Sequence, residues 1–469
     1  MTILNCFFHL MMTFQLFSSL LLILFSYIQV KSLALESNFE TFEIAHDQCK
    51  RHFTDPKKRP KSTLEIFHMY GPCSPTAGTS PINMPSAQDI LHRDRLRVES
   101  LQARLKLNST TNKYDSRFQD TKEVAFLPAL AITTNYAISI SLGTPPQMQT
   151  LVFDTGSDLT WTRGFHHYAS TSFYSVPCNS DSCTRLLHSH TCEMFDNKEN
   201  MCYYKEEYMD GSSTKGVFSM DILNITETGD VFPGFLFSCS TEVEGNFDAD
   251  GILGLGKKDV SFVTQTFEIY KGMFSYCLPS SPSSTGFLKL GGLDYSDNVK
   301  FTPLLTNPKH PSTYSINITS IKVADVELLI PEFDLMFPAG IIIDTGALIT
   351  YLPENVYSTM RDEFQKQIRV SGYQIVPPSS DDLLDTCYDN SIYQSNIVPT
   401  VTFTFEGGVT VDMDASTTLY AIDTLACLAF TNNSEAGNFA IFGTTQQKKL
   451  EVVYDVYGGR LGFIPHACL

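Results

Sequence analysis

The chain has a single tryptophan among 469 residues and comparatively little positive charge. One Trp gives no basis for an aromatic platform that stacks on sugars. Lys and Arg number 33 against 51 Asp and Glu, a formal net charge of −18. That balance argues against gripping phosphate backbones, so no nucleic-acid partner is expected. After residue 30 no apolar run is long enough to cross a bilayer. Gly251, Gly254, Gly256 and Lys257 lack the spacing of either nucleotide-binding loop. What the chain does have is 43% hydrophobic residues. That excludes a wholly disordered chain and leaves room for two or three domains.

The charge is unevenly spread. Residues 35–124 carry 14 Lys/Arg and 12 Asp/Glu, a net of +2; residues 125–469 carry 18 and 39, a net of −21. Charge alone leaves open a masking segment or a solvated linker. Residues 14–30 are nearly all apolar, as in a signal-peptide core, and Ser32-Leu33-Ala34 sets cleavage after Ala34. No Lys or Arg precedes the run, and an uncleaved anchor is the alternative. Residues 35–85 are rich in Pro, Ser and Lys, so little regular structure is expected there. Residues 86–107 read as a helix. Ser86 can cap it, and Ile90, Leu91, Val98, Leu101 and Leu105 share roughly one face. Within it, His92-Arg93-Asp94 echoes a kinase loop, but no kinase Gly-rich loop accompanies it; the triplet reads as helix surface.

From about residue 125 the chain takes on an all-β rhythm, short apolar runs between turn residues. One pattern occurs there twice. Leu151-Val152-Phe153 runs into Asp154-Thr155-Gly156-Ser157, and Ile341-Ile342-Ile343 runs into Asp344-Thr345-Gly346-Ala347. Ile252-Leu253-Gly254 ends 100 residues after Asp154, and Ile441-Phe442-Gly443 ends 99 after Asp344. Matched spacing of this kind indicates a duplicated unit. An Asp delivered by three apolar residues enters a dry place where ionisation is costly. Two such residues meeting across a two-fold axis would share one proton and titrate as a pair. The charged member can then take a proton from a water, while the protonated member hydrogen-bonds the carbonyl under attack. Gly156 and Gly346 permit close approach, and Thr155 and Thr345 can tie the two turns together. No cofactor or metal is called for.

The doubled hydrophobic-Asp-Thr-Gly motif resembles the pepsin-type aspartic peptidases, most closely their plant nepenthesin- and nucellin-like branch. The resemblance covers roughly residues 86–469. It implies a mainly β, bilobal fold of two six-stranded-type lobes around a central cleft, with a helical N-terminal prosegment blocking that cleft. The implied layout is a signal peptide (1–34), a prosegment (35–124), an N-terminal lobe (125–296) and a C-terminal lobe (297–469). Asp154 and Asp344 would be the catalytic pair, with Ser157 and Ala347 completing the supporting turns. Tyr208, Asp210, Gly211 and Ser212 would form a flap over substrate, and Trp161 would support Tyr208.

Four departures from the pattern stand out. Ala347 replaces a hydroxyl residue, which should raise the pair's pKa values. Met209 replaces a Gly beside Tyr208, the segment between Trp161 and Cys178 is short, and Ser238-Cys239-Ser240 replaces a Gly-Cys-Gly-like element. Nine cysteines lie after residue 125, an odd number, so at least one is unpaired within that region. The resemblance implies pairs Cys178–Cys202, Cys183–Cys192, Cys277–Cys468 and Cys387–Cys427, leaving Cys239. A zinc site from Cys178, Cys183, His188, His190, Cys192 and Cys202 fits no usual spacing. His166 and His167 read as surface loop. Asn224, Asn317 and Asn432 head glycan acceptor sequences.

The expected function is that of a monomeric aspartic endopeptidase acting on protein or peptide substrates. It would be secreted as a zymogen to the extracellular space, with the vacuole as the alternative, and not remain in a membrane after signal cleavage. The rival reading is a peptidase scaffold that binds or inhibits another secreted protein. Loss of a catalytic Asp would favour that rival, and both are present.

Overall fold

A computed structural model describes residues 48–54, 60, 62–75, 77, 85–110, 136–186, 190–195, 199–207, 213–245, 247–292, 299–306, 311–330, 340–377, 383–433 and 439–468. The proposed signal segment and the flap residues Tyr208–Ser212 lie outside these. None of the described helices is long and apolar enough to cross a membrane.

The fold is mainly β, as the sequence pattern indicates. In the N-terminal half, β1 (Thr63–His68) is followed by helix α1 (Ala87–Thr110), then β2 (Tyr136–Leu142), β3 (Gln147–Asp154), β4 (Gly251–Gly254) and β5 (Thr285–Leu290). All of these strands belong to one 15-stranded sheet that runs through the centre of the expected pepsin-like fold. The halves are stitched together because Met273–Cys277 pairs antiparallel with Leu450–Asp455 near the chain's end. Sheets of five, four and three strands complete the C-terminal half. That half contains β6 (Ile341–Ile343), helix α2 (Glu354–Val370) and β7 (Ala440–Phe442).

The sequence repeat is a structural repeat. β3 pairs parallel with β4, setting Val152 against Ile252 and Asp154 against Gly254. β6 pairs parallel with β7, setting Ile342 against Ile441 and Ile343 against Phe442. Parallel strands buried on both faces read as continuous apolar runs. Leu151 to Asp154 and Ile341 to Asp344 are indeed buried without a break. Each Asp therefore ends an interior strand.

The stretch 35–85 is more ordered than its composition suggests. β1 is inserted between β5 and β2, with Thr63 opposite Lys289 and Phe67 opposite both Thr285 and Ala137. Its apolar residues Leu64, Ile66 and Phe67 are buried, and this short apolar cluster among Pro, Ser and Lys is the signal that composition averaged away. A disulfide, Cys49–Cys73, brackets it.

The cysteine pairing needs one correction. Cys277–Cys468 and Cys387–Cys427 form as implied. Cys183, however, bonds Cys202, which rules out both Cys178–Cys202 and Cys183–Cys192. Strands His190–Phe195 and Glu199–Glu207 set Cys192 directly opposite Cys202, so Cys202 has several cysteines nearby and spacing could not choose among them. Cys178 is itself disulfide-bonded. Cys239 is free and buried, and burial pushes its thiol up to about 11.

Candidate active site

The two Asp-Thr-Gly turns meet at the centre of the molecule. The Thr155 N–H donates to Thr345 Oγ1 at 2.9 Å, and the Thr345 N–H donates to Thr155 Oγ1 at 3.0 Å. Each hydroxyl then donates onward, Thr155 to the Ile343 carbonyl (3.2 Å) and Thr345 to the Phe153 carbonyl (3.1 Å). The clasp is nearly two-fold symmetric and fully buried. Inside each turn the glycine N–H donates to its own aspartate, Gly156 to Asp154 Oδ1 (2.9 Å) and Gly346 to Asp344 Oδ1 (2.8 Å). The glycines are required for space. A Cβ on Gly156 would lie 2.7 Å from Asp344 Oδ1, and one on Gly346 only 1.8 Å from Arg97 Nη2.

Arg97, on α1, is the residue the sequence reading missed. Its Nη2 donates to Asp154 Oδ1 at 2.8 Å and to Asp344 Oδ1 and Oδ2 at 3.0 and 3.2 Å. Two carboxylates 2.8 and 3.0 Å from one nitrogen lie no more than their sum, 5.8 Å, apart. All three side chains are at most 1% exposed. Burial opposes the charge on Arg97, but the two carboxylates outweigh it and raise its pKa. For Asp344, burial is the largest influence and pushes the carboxyl up. Arg97 pulls it back down, and the neighbouring Asp154 pushes it up again. Burial, not the missing hydroxyl at Ala347, is the main cause of the rise at Asp344.

α1 is held firmly in this position. Ser86 and Asp89 cap it reciprocally, Asp89 N donating to Ser86 Oγ (3.1 Å) and Ser86 N to Asp89 Oδ2 (3.3 Å). Ile90, Leu91, Val98, Leu101 and Leu105 are all buried, against Leu348, Ile349, Tyr351 and Ile441 among others. Gln102 pairs with the backbone of Phe439 in both directions, at 2.7 and 2.8 Å. The reading of His92-Arg93-Asp94 as helix surface is wrong for Asp94, which is fully buried. Its carboxylate accepts from Leu348 N (2.7 Å), Ile349 N (3.4 Å) and the Tyr351 hydroxyl (3.1 Å). Burial pushes Asp94 up to about 6, against the pull of those donors and of Arg97. The missed signal was spacing: Ile90, Asp94, Arg97, Leu101 and Leu105 fall four, three, four and four residues apart, on one helical stripe.

Other expected site residues are distributed as follows. Ala347 is fully buried. Ser157 lies in the first turn, but its hydroxyl has no hydrogen-bond partner and does not support Asp154. Asp154 Oδ2 is likewise buried without a partner. Trp161 is buried edge-on to Phe247, with ring centres 5.2 Å apart. Tyr208, Met209, Asp210, Gly211 and Ser212 fall outside the described residues. His166 and His167 are exposed, as read. Among the described residues no cluster of His, Cys, Asp and Glu could hold a metal.

Comparison with known proteins fits this geometry. Two family models match in succession, xylanase inhibitor N-terminal over residues 136–292 and xylanase inhibitor C-terminal over residues 313–465. An aspartyl protease family protein of Arabidopsis thaliana is 38% identical over 429 residues, covering 87% of this chain and 88% of its own. The chain belongs to the pepsin-like aspartic peptidase family. Within its plant branch, the aspartic proteinase nepenthesin-2 of Nepenthes gracilis is 30% identical over 364 residues, covering 73% of this chain and 80% of its own. Among solved structures, that of edgp superposes with a TM-score of 0.60 at 22% identity, over 74% of this chain and 93% of that one, which speaks to the pepsin-like fold alone.

Proposed function

We propose that the protein is an aspartic endopeptidase, made as a secreted zymogen and held latent by α1. The observation that carries this reading is the single nitrogen of Arg97 bonded to both Asp154 and Asp344. Two carboxylates from duplicated turns converge where one cation, or one water, can touch both. Once α1 has left, a water between them attacks the peptide carbonyl carbon. The ionised member of the pair takes a proton from that water, and the protonated member donates its proton to the carbonyl oxygen. The tetrahedral diol then collapses, the C–N bond breaks, and the amine leaves with a proton returned through the pair. The two carboxyl groups share the site, so neither is assigned a fixed role.

Arg97 explains latency electrostatically. Its cation favours the ionised pair, in which neither member can donate to a carbonyl, and its side chain fills the place of the water. The +2 to −21 charge difference adds a diffuse attraction that acid weakens. Asn224, Asn317 and Asn432 are half-exposed, which suits glycan attachment on a secreted protein. The substrate is a protein or peptide, and the working unit a monomer.

The test is cleavage of an unfolded protein by the acid-treated full chain at about pH 3–5, with inhibition by pepstatin. Asp154→Asn and Asp344→Asn should each abolish cutting. Undiminished hydrolysis by either variant would overturn the mechanism.

A further inference from the structure

We propose that the pocket now filled by Asp94 is a subsite for an acidic side chain of the substrate; this rests on the peptidase reading above. The pocket is built from Leu348, Ile349 and Tyr351, and it begins two residues after Gly346. It therefore adjoins the catalytic turn in sequence. It adjoins it in space as well, since Asp94 stands one helical turn before Arg97, and Arg97 touches both aspartates. A turn of helix rises about 5.4 Å.

Its chemistry is specific. Three donors converge on one carboxyl group, Leu348 N on Oδ1 and both Ile349 N and the Tyr351 hydroxyl on Oδ2. Asp94 is fully buried there and Tyr351 is 3% exposed. When α1 leaves, these donors lose their acceptor beside apolar walls that include Leu348 and Ile349. A site built to hydrogen-bond a polar group discriminates strongly against an analogue lacking it, because its own polar groups are then left unpaired. The Tyr351 hydroxyl donates to a carboxylate and accepts from a carboxylic acid, so the pocket receives an acidic side chain in either protonation state. Burial holds the Tyr351 hydroxyl protonated well above its usual range. Arg97, the cation of α1 that pulls on the Asp94 carboxyl, departs with the helix. The helix is thus a self-ligand, filling the catalytic pair with a cation and the neighbouring pocket with an acid.

The test uses the acid-treated full chain at pH 5 and a peptide series carrying Asp or its isostere Leu at each position flanking the scissile bond in turn. At one position kcat/KM should favour Asp over Leu by about tenfold. Tyr351→Phe should bring that ratio down severalfold, a change that a purely structural role for the hydroxyl would not produce. Ratios within about twofold at every position, or a preference that Tyr351→Phe leaves intact, would overturn the subsite alone. No cleavage of any peptide would overturn the peptidase reading and the subsite with it.

Discussion

The two halves of the molecule are alike where they build the aspartate pair and unlike where they receive α1. At the pair the likeness is close to two-fold. Each aspartate ends a buried strand, each glycine N–H caps its own carboxylate, and each threonine makes the same bonds to the other turn. Around α1 the likeness fails. The buried hydrophobic side chains packed with the helix come from the C-terminal half, among them Ile342, Ala347, Leu348, Ile349, Tyr351 and Ile441. The N-terminal half offers Asp154, and Asp248 at 3.2 Å from Arg93. Ala347 is apolar and buried in that packing, whereas its counterpart Ser157 carries an unpartnered hydroxyl. Duplication supplies the geometry of the aspartate pair, and divergence between the copies supplies the seat on which α1 packs.

The symmetric part can be broken from either side. Thr345→Val removes one buried donor–acceptor hydroxyl and leaves the Thr155 N–H and Phe153 carbonyl unpaired. At about 1–3 kcal/mol for each stranded group, the loss is about 4 kcal/mol. Thr155→Val should cost the same within about 1 kcal/mol. Denaturant unfolding of both variants measures this, and a gap of several kcal/mol would show the clasp to be one-sided.

The asymmetric part predicts unequal effects. Leu101→Ala, on the C-terminal side of α1, should weaken docking of the helix by about 2–4 kcal/mol. Arg93→Ala breaks a partly exposed ion pair with Asp248 and should cost about 0.5 kcal/mol. Hydrogen exchange at the α1 amides reads both. Equal protection loss in the two variants would contradict the division of labour.

Asp94 gives the most diagnostic effect. Its carboxyl in the folded chain sits at about 6, above the unfolded value of 3.8. A raised acid pKa contributes stability that is fully present below the unfolded value and is lost as pH rises through the folded one. Between pH 7 and pH 4, Asp94 should therefore tighten the docked state as protons are added. Loss of the Arg97 ion pair as the aspartates protonate acts in the opposite direction. In Asp94→Asn the tightening disappears, so helix protection should fall more steeply with acid than in the wild type. Parallel pH profiles would remove Asp94 from the account.

Sequence alone showed the pair because repetition leaves a countable trace. Asp154 and Asp344 sit in matched motifs, and their partners at 100 and 99 residues turned out to be their parallel strand neighbours. Arg97 and Asp94 left no such trace. Charged residues on a helix default to solvent, and only their place on the stripe with Ile90 and Leu101 marks them as buried. Residues 63–68 were hidden in the same way, six strand-forming residues averaged into a Pro- and Lys-rich segment. The Cys183–Cys202 bond joins a short helix, Asp181–Thr184, to the strand Glu199–Glu207, a tertiary contact that sequence spacing does not specify.

The most direct measurement is the initial rate of peptide cleavage by full-length Arg97→Gln at pH 5.5 without acid pre-treatment, beside wild type and beside Arg97→Gln combined with Asp344→Asn. The account predicts immediate turnover by Arg97→Gln, a lag or silence in the wild type, and no turnover in the double variant. An Arg97→Gln chain as silent as the wild type, or turnover that survives Asp344→Asn, would contradict it.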